Sequence, residues 1–161
     1  MKRFNHIIVI FLFTGSILFP VNLFSQLKDY RFEELESLQK TEQRNTVIFI
    51  HTDWCSYCKA MENATFKNEK VIEILNKDFY FAKLNAEEKG NILFAGKIFR
   101  YKPTGTNIGF HELATELGTI NKQLSYPAII ILNPKNEIIF QYGGFIGAPR
   151  LISILKKFIS H

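Results

Sequence analysis

Both cysteines of the chain lie in one short stretch, Asp53-Trp54-Cys55-Ser56-Tyr57-Cys58-Lys59, with two residues between them. An apolar run, Val47-Ile48-Phe49-Ile50, precedes them, and a polar segment of helical character follows. A strand that delivers two thiols to the start of a helix suits redox chemistry. The free backbone N–H groups and positive dipole end of a helix stabilise a thiolate, and the thiolate is the species that attacks disulfides. Cys55, at the helix start, is the expected attacking thiolate. Cys58, one turn on and deeper, is the expected resolving thiol. Such a pair needs no further cofactor, because the Cys55–Cys58 disulfide itself carries the electrons. Tyr57 and Ser56, between the cysteines, are placed to tune the redox potential. Two other readings stay open. The thiols with His51 or His111 would hold a soft metal such as copper or zinc, although a zinc site normally takes four ligands and only two thiols are present. A redox-inert interaction protein is the third reading, and the retention of both cysteines argues against it.

The rest of the composition narrows the field. The chain has 161 residues, 47% hydrophobic and 22% charged, which suits one globular domain. Its net charge of +5 comes without any basic run, so nucleic acid is not an expected partner. Two cysteines this close cannot staple a scaffold.

Residues 1–25 read differently. Met1-Lys2-Arg3 is a short basic start, His6 to Phe19 is almost wholly apolar, Pro20 ends the run, and Ser25 is a small residue at a candidate cut. That is the pattern of a secretory signal peptide, with an uncleaved membrane anchor as the alternative. Residues 26–161 then form the domain, facing a periplasmic or otherwise extracytoplasmic compartment. There, a redox-active pair needs an electron donor or acceptor, most simply one in the membrane.

The elements that must position the thiols follow from periodicity. Phe32, Leu35 and Leu38 have helical spacing, predicting a first helix from about Tyr30 to Lys40. Thr46 to His51 is a β-branched and aromatic run typical of a buried central strand. A helix opens at Cys55, is bent or interrupted at Asn63 to Phe66, and resumes as far as about Asn76. Phe79 to Asn85 is the next strand. Ile92-Leu93-Phe94 and Lys97 to Tyr101 suggest a hairpin around Ala95-Gly96, followed by a loop at Lys102 to Gly105. His111 to Leu117 is helical. Ala128 to Leu132 is a second buried strand, Asn133 to Asn136 a turn, Glu137 to Tyr142 a return strand, and Ala148 to Ser160 an amphipathic helix. The order is α-β-α-β-α-β-β-α, an α/β domain.

That order, with Trp-Cys-x-x-Cys-Lys after the first strand and Tyr126-Pro127 before the third, resembles the thioredoxin fold over roughly Phe32 to Ile159. The resemblance implies a central mixed β-sheet flanked by helices, with an insertion between residues 91 and 121. It is greatest to exported bacterial thioredoxin-like proteins and to the soluble thioredoxin domain of transmembrane disulfide-interchange proteins. It implies that Tyr126-Pro127 is a cis-proline site which, with Trp54, docks substrate, and that Lys83 lies beneath the active site. It implies protein thiols and disulfides as partners, with reduction or isomerisation rather than oxidation as the direction. One departure stands out: Phe49 occupies the strand position where thioredoxins carry a buried aspartate. The proton of Cys58 must then go to water, to Lys83 in its neutral form, or to Asp53.

Overall fold

The computed structural model describes residues 26–106 and 108–159. The expected signal segment, residues 1–25, lies outside the described residues. Within them, no helix is long and apolar enough to cross a membrane.

The frame is a four-stranded sheet of β1 (Asn45–His51), β2 (Phe79–Asn85), β9 (Ala128–Leu132) and β10 (Ile138–Gly143), in the order β10-β9-β1-β2. β1 runs parallel to β2 and antiparallel to β9, and β10 returns antiparallel beside β9. This is the expected mixed sheet. β1 is buried from Asn45 to Ile50 because it is central and covered on both faces, so it reads as a continuous apolar run. Strand alternation divides the core. Ile48, Ile50, Tyr80, Ala82, Leu84 and Ile130 face one layer, whereas Val47, Phe49, Phe79, Phe81, Ile129 and Ile131 face the layer that contains both cysteines.

On the cysteine face, α2 (Ser56–Ala60) runs into a π-helical segment, Met61–Thr65, followed by α3 (Glu69–Asp78) and, at the end of the chain, α5 (Ala148–Leu155). The bend expected at Asn63 to Phe66 is this change of helical pitch: the Phe66 N–H reaches back five residues to the Met61 carbonyl at 2.9 Å. Asn68 restarts the helix by accepting the Lys70 and Val71 N–H groups on its side-chain oxygen. α5 stops short of the predicted Ser160. The Asn45 side-chain amide takes the Phe158 carbonyl at 2.7 Å, which ties that stretch to the start of β1.

The opposite face is closed by α1 (Phe32–Thr41) and by the inserted segment. α1 starts later than predicted because the Tyr30 N–H is bonded to the Phe81 carbonyl at 2.8 Å and Arg31 is extended. β3 (Ile92–Phe94) and β4 (Lys97–Phe99) form the expected hairpin, with Ala95 and Gly96 both at positive φ as a tight two-residue turn demands. The loop predicted at Lys102 to Gly105 is instead β5 (Tyr101–Gly105), paired antiparallel with β6 (Ile108–His111). Pro103 hid this strand, because a proline cannot donate to a ladder; a two-stranded ribbon tolerates it. Opposite Pro103, any side chain at Gly109 would run into the Lys102 carbonyl and the Tyr101 ring. α4 (Glu112–Gly118) follows, with His111 as its N-cap. A small hairpin absent from the sequence reading, β7 (Thr119–Ile120) and β8 (Gln123–Leu124), turns through Asn121 and Lys122, both at positive φ.

Candidate active site

Cys55 and Cys58 are joined as a disulfide, with Cα atoms 5.2 Å apart. Cys55 is the N-cap of α2, and its sulfur accepts the Cys58 N–H at 3.1 Å. The Cys55 N–H is held by the Thr52 carbonyl at 3.2 Å, and the Lys59 N–H closes the first helical turn on the Cys55 carbonyl at 3.1 Å. Both sulfur residues are buried, Cys55 at 6% exposure and Cys58 at 1%. The outer cysteine therefore sits where a helix N–H already points at its sulfur.

Around the disulfide the fold assembles residues from distant parts of the chain. The Tyr126–Pro127 peptide is cis, and the Pro127 carbonyl accepts the Gly144 N–H at 2.7 Å. The Trp54 indole is exposed; its N–H donates to Glu87 at 3.1 Å and its ring meets Tyr126 edge-on at 6.0 Å. Burial, with the Glu87 charge adding to it, pushes the Tyr126 phenol up to about 12, so it stays protonated as a donor. That hydroxyl and Thr52 Oγ1 are buried with no hydrogen-bond partner among the described residues. Tyr57 is exposed, and its ring lies 6.5 Å from Phe145. Asp53 accepts the Asn85 amide at 3.3 Å.

Phe49 is fully buried in the same apolar cluster as both cysteines. Lys83 is its register partner on β2, on the cysteine face of the sheet. The Lys83 ammonium stands 3.6 Å from Glu62 of the π-helical segment and 3.6 Å from Asp29. The His51 ring stacks on Phe49 at 5.5 Å. Desolvation holds its imidazole below the usual histidine range, against an opposing pull from Glu62.

His111, one of the two histidines that the metal reading would enlist, is fully buried and engaged at both ring nitrogens. Nδ1 accepts the Leu113 N–H at 3.3 Å, and Nε2 lies 3.2 Å from the Gly90 carbonyl, to which it donates in the Nε2–H form. It is a helix cap. Among the described residues, no three His, Cys, Asp or Glu side chains converge as metal ligands.

Glu62, Glu87 and Phe145 were not singled out in the sequence. Glu62 had a weak signal, standing one helical turn beyond Cys58. Glu87 and Phe145 had none, because their partners are brought to them only by tertiary structure.

A CxxC disulfide at a helix N-terminus on this mixed sheet is a thioredoxin-like arrangement, with two thiols placed to exchange with a disulfide. The chain belongs to the thioredoxin-like domain family, whose model matches residues 32–159. Among solved structures it is similar to a DsbH oxidoreductase (TM-score 0.58, 14% identity, 84% of this chain and 85% of that one). It is also similar to a putative disulphide-isomerase from Bacteroides thetaiotaomicron (TM-score 0.57, 21% identity, 83% and 92%). A third is the C-terminal domain of DsbD from Neisseria meningitidis in its reduced form (TM-score 0.52, 14% identity, 78% and 91%). At these identities the likeness is one of fold. Two curated relatives match over 59 residues. An uncharacterised protein of Caenorhabditis elegans is 34% identical there, over 35% of this chain and 8% of its own length. Spermatogenesis-associated protein 20 of Homo sapiens is 30% identical over the same shares, so this chain matches only a small part of each.

Proposed function

We propose that this protein is an exported oxidoreductase that reduces or isomerises disulfides of other proteins, with Cys55 attacking and Cys58 resolving. The observation that carries the reading is the placement of Cys55 as N-cap of α2, with the Cys58 N–H on its sulfur and Cys58 deeper in the core. In the reduced protein the Cys55 thiolate attacks one sulfur of a substrate disulfide, and the other sulfur leaves as a thiolate. Cys58 then loses its proton and attacks the Cys55 sulfur, which releases the second substrate sulfur and leaves the Cys55–Cys58 disulfide. In reduction two electrons pass to the substrate, so an upstream donor must supply two more for each turnover; isomerisation returns the Cys55 thiolate with no net transfer. A membrane electron donor facing an extracytoplasmic compartment fits the apolar N-terminal segment.

Trp54, Tyr126 and Pro127 form the docking surface beside Cys55, and Tyr57 tunes the potential. Because Phe49 is not titratable, the Cys58 proton goes to water, to Asp53, or to Lys83 in its neutral form. The neighbours of the same fold include a putative disulphide-isomerase and a DsbD domain, which supports protein disulfides as the substrate class.

The test is insulin disulfide reduction by the purified protein with dithiothreitol, with Cys55→Ser as control. Activity lost in the variant supports the reading; an inactive wild type that carries stoichiometric metal would sink it. A measured potential near about −270 mV favours reduction, and one near about −120 mV would reverse the direction.

A further inference from the structure

Cys58 must give up a proton before its sulfur can displace the substrate, and Phe49, in the same buried cluster, cannot take it. Two charged acceptors nearby are already engaged: the Lys83 ammonium pairs with Glu62 and Asp29, and Asp53 accepts the Asn85 amide. His51 is not. Strand alternation carries Val47, Phe49 and His51 to the cysteine face of β1, and the His51 imidazole lies nearly flat on the Phe49 ring, the planes 17° apart. Its backbone is fixed from β2, in register with Asn85 and with its carbonyl accepting the Ala86 N–H at 2.8 Å. The ring is half-buried and, unlike that of His111, makes no hydrogen bond to the described residues. Glu62, the charge that acts most strongly on this imidazole, stands one helical turn beyond Cys58, so one helix face carries both.

The geometry points to His51 as the group that takes the Cys58 proton, doing from position 51 what an acidic side chain at position 49 would do. This rests on the oxidoreductase reading, since only a resolving thiol has to lose its proton. The neutral imidazole accepts the proton of the Cys58 thiol, and the thiolate attacks the Cys55 sulfur. The bond between Cys55 and the substrate sulfur breaks, and that sulfur leaves with the electron pair as a thiolate. The imidazolium then gives its proton to the departed thiolate or to water. Burial keeps the imidazole neutral at pH 7 and able to accept, while Glu62, Asp53 and Asp29 favour the imidazolium once it forms, against Lys83. Glu62, Asp29 and Lys83 also line an open cleft of about 350 Å³, a way out for the proton.

The experiment is a stopped-flow single turnover of the reduced protein, freed of reductant, with equimolar thionitrobenzoate disulfide. One coloured thiolate leaves as Cys55 attacks and the other as Cys58 displaces it, so two phases report the two steps. At pH 7, His51→Gln is expected to slow the second phase about a hundredfold, the lower end of what a positioned base supplies, and to leave the first within about twofold. The wild-type second phase rises with pH through an inflection below about 6.5; in His51→Gln it is replaced by one at about 8.5, that of the thiol itself. Imidazole added to His51→Ala restores the second phase in proportion to its neutral form, which a merely structural role would not allow. A second phase in His51→Gln with the wild-type rate and pH profile, or a slowed His51→Ala that imidazole does not restore, would overturn the inference and leave the oxidoreductase reading standing. The hundredfold loss appearing in Asp53→Asn or Lys83→Met, with His51→Gln unaffected, would move the acceptor to that residue and also overturn it. A wild type with no first phase would overturn both.

Discussion

The two faces of the sheet are closed by different means. On the cysteine face, α3 and α5 pack apolar side chains against Val47, Phe49, Phe81 and Ile131, and polar contacts lie at the margin, where Lys83 meets Glu62 and Asp29. On the opposite face α1 shares the covering with the insertion, whose short ribbons and seven-residue α4 do the rest. Elements this short cannot bury much surface each, so specific backbone contacts hold them. The His111 N–H reaches the Ala86 carbonyl at 2.7 Å, the Arg100 N–H takes Glu112 at 2.7 Å, and the Gln141 amide takes the Leu117 carbonyl at 2.7 Å. The disulfide is thus carried on the face with continuous helical packing, and the insertion rests on individual fastenings.

Breaking one residue on each face should show the contrast. Cys58→Ser is expected to have the largest effect: turnover falls by at least about a thousandfold while a mixed disulfide accumulates on Cys55, seen by non-reducing electrophoresis and mass. Its fold should be unaffected. Gly109→Ala comes next and acts on the inserted face. Its Cβ meets the Lys102 carbonyl, so a loss of about 3 kcal/mol or more is expected in urea unfolding, with hydrogen exchange rising first at residues 101–111.

Thr65→Val tests the cysteine face without touching a sulfur. Thr65 Oγ1 donates to the Ile146 carbonyl at 2.8 Å in a buried site, and its removal should cost about 1–2 kcal/mol. The His111 cap is pH-dependent. Burial holds His111 below the usual histidine range, so the unfolded chain binds that proton more readily than the folded one. The contribution is complete above the unfolded value of about 6.5 and is lost as pH falls through the lower folded value. His51 is depressed in the same direction. His111→Asn, which keeps a cap acceptor, should therefore flatten but not abolish the fall in stability between pH 7.5 and pH 5, measured as urea midpoints. Lys83→Met is expected to be the smallest perturbation, within about 1 kcal/mol, because its ion pairs are open to solvent.

The legibility of the chain follows the same division. β1, β2, β9 and the helix at Cys55 were readable because central strands and amphipathic helices write their burial into local periodicity. Ala95-Gly96 was readable because Gly accepts positive φ. β5 was not, since Pro103 argues against a strand. The β7–β8 turn was missed because Asn121-Lys122 lacks the glycine that usually marks such a turn. The ends of α1 and α5 are not legible in local periodicity, because the Tyr30 N–H to Phe81 carbonyl bond and the Asn45 side-chain amide to Phe158 carbonyl bond lie at those boundaries.

By itself the sequence determined that both thiols lie between an apolar strand and the helix that receives them, with Phe49 in that strand. Those are properties of neighbouring residues and of local hydrophobic period. Only the tertiary structure decided that Tyr126-Pro127 stands over the same cluster as the disulfide, that Glu87 fixes Trp54 from 33 residues away, that Glu62 takes Lys83, and that Phe145 joins Tyr57. Those pairings depend on sheet order and on how loops are tied across it, and no local pattern of residues encodes either.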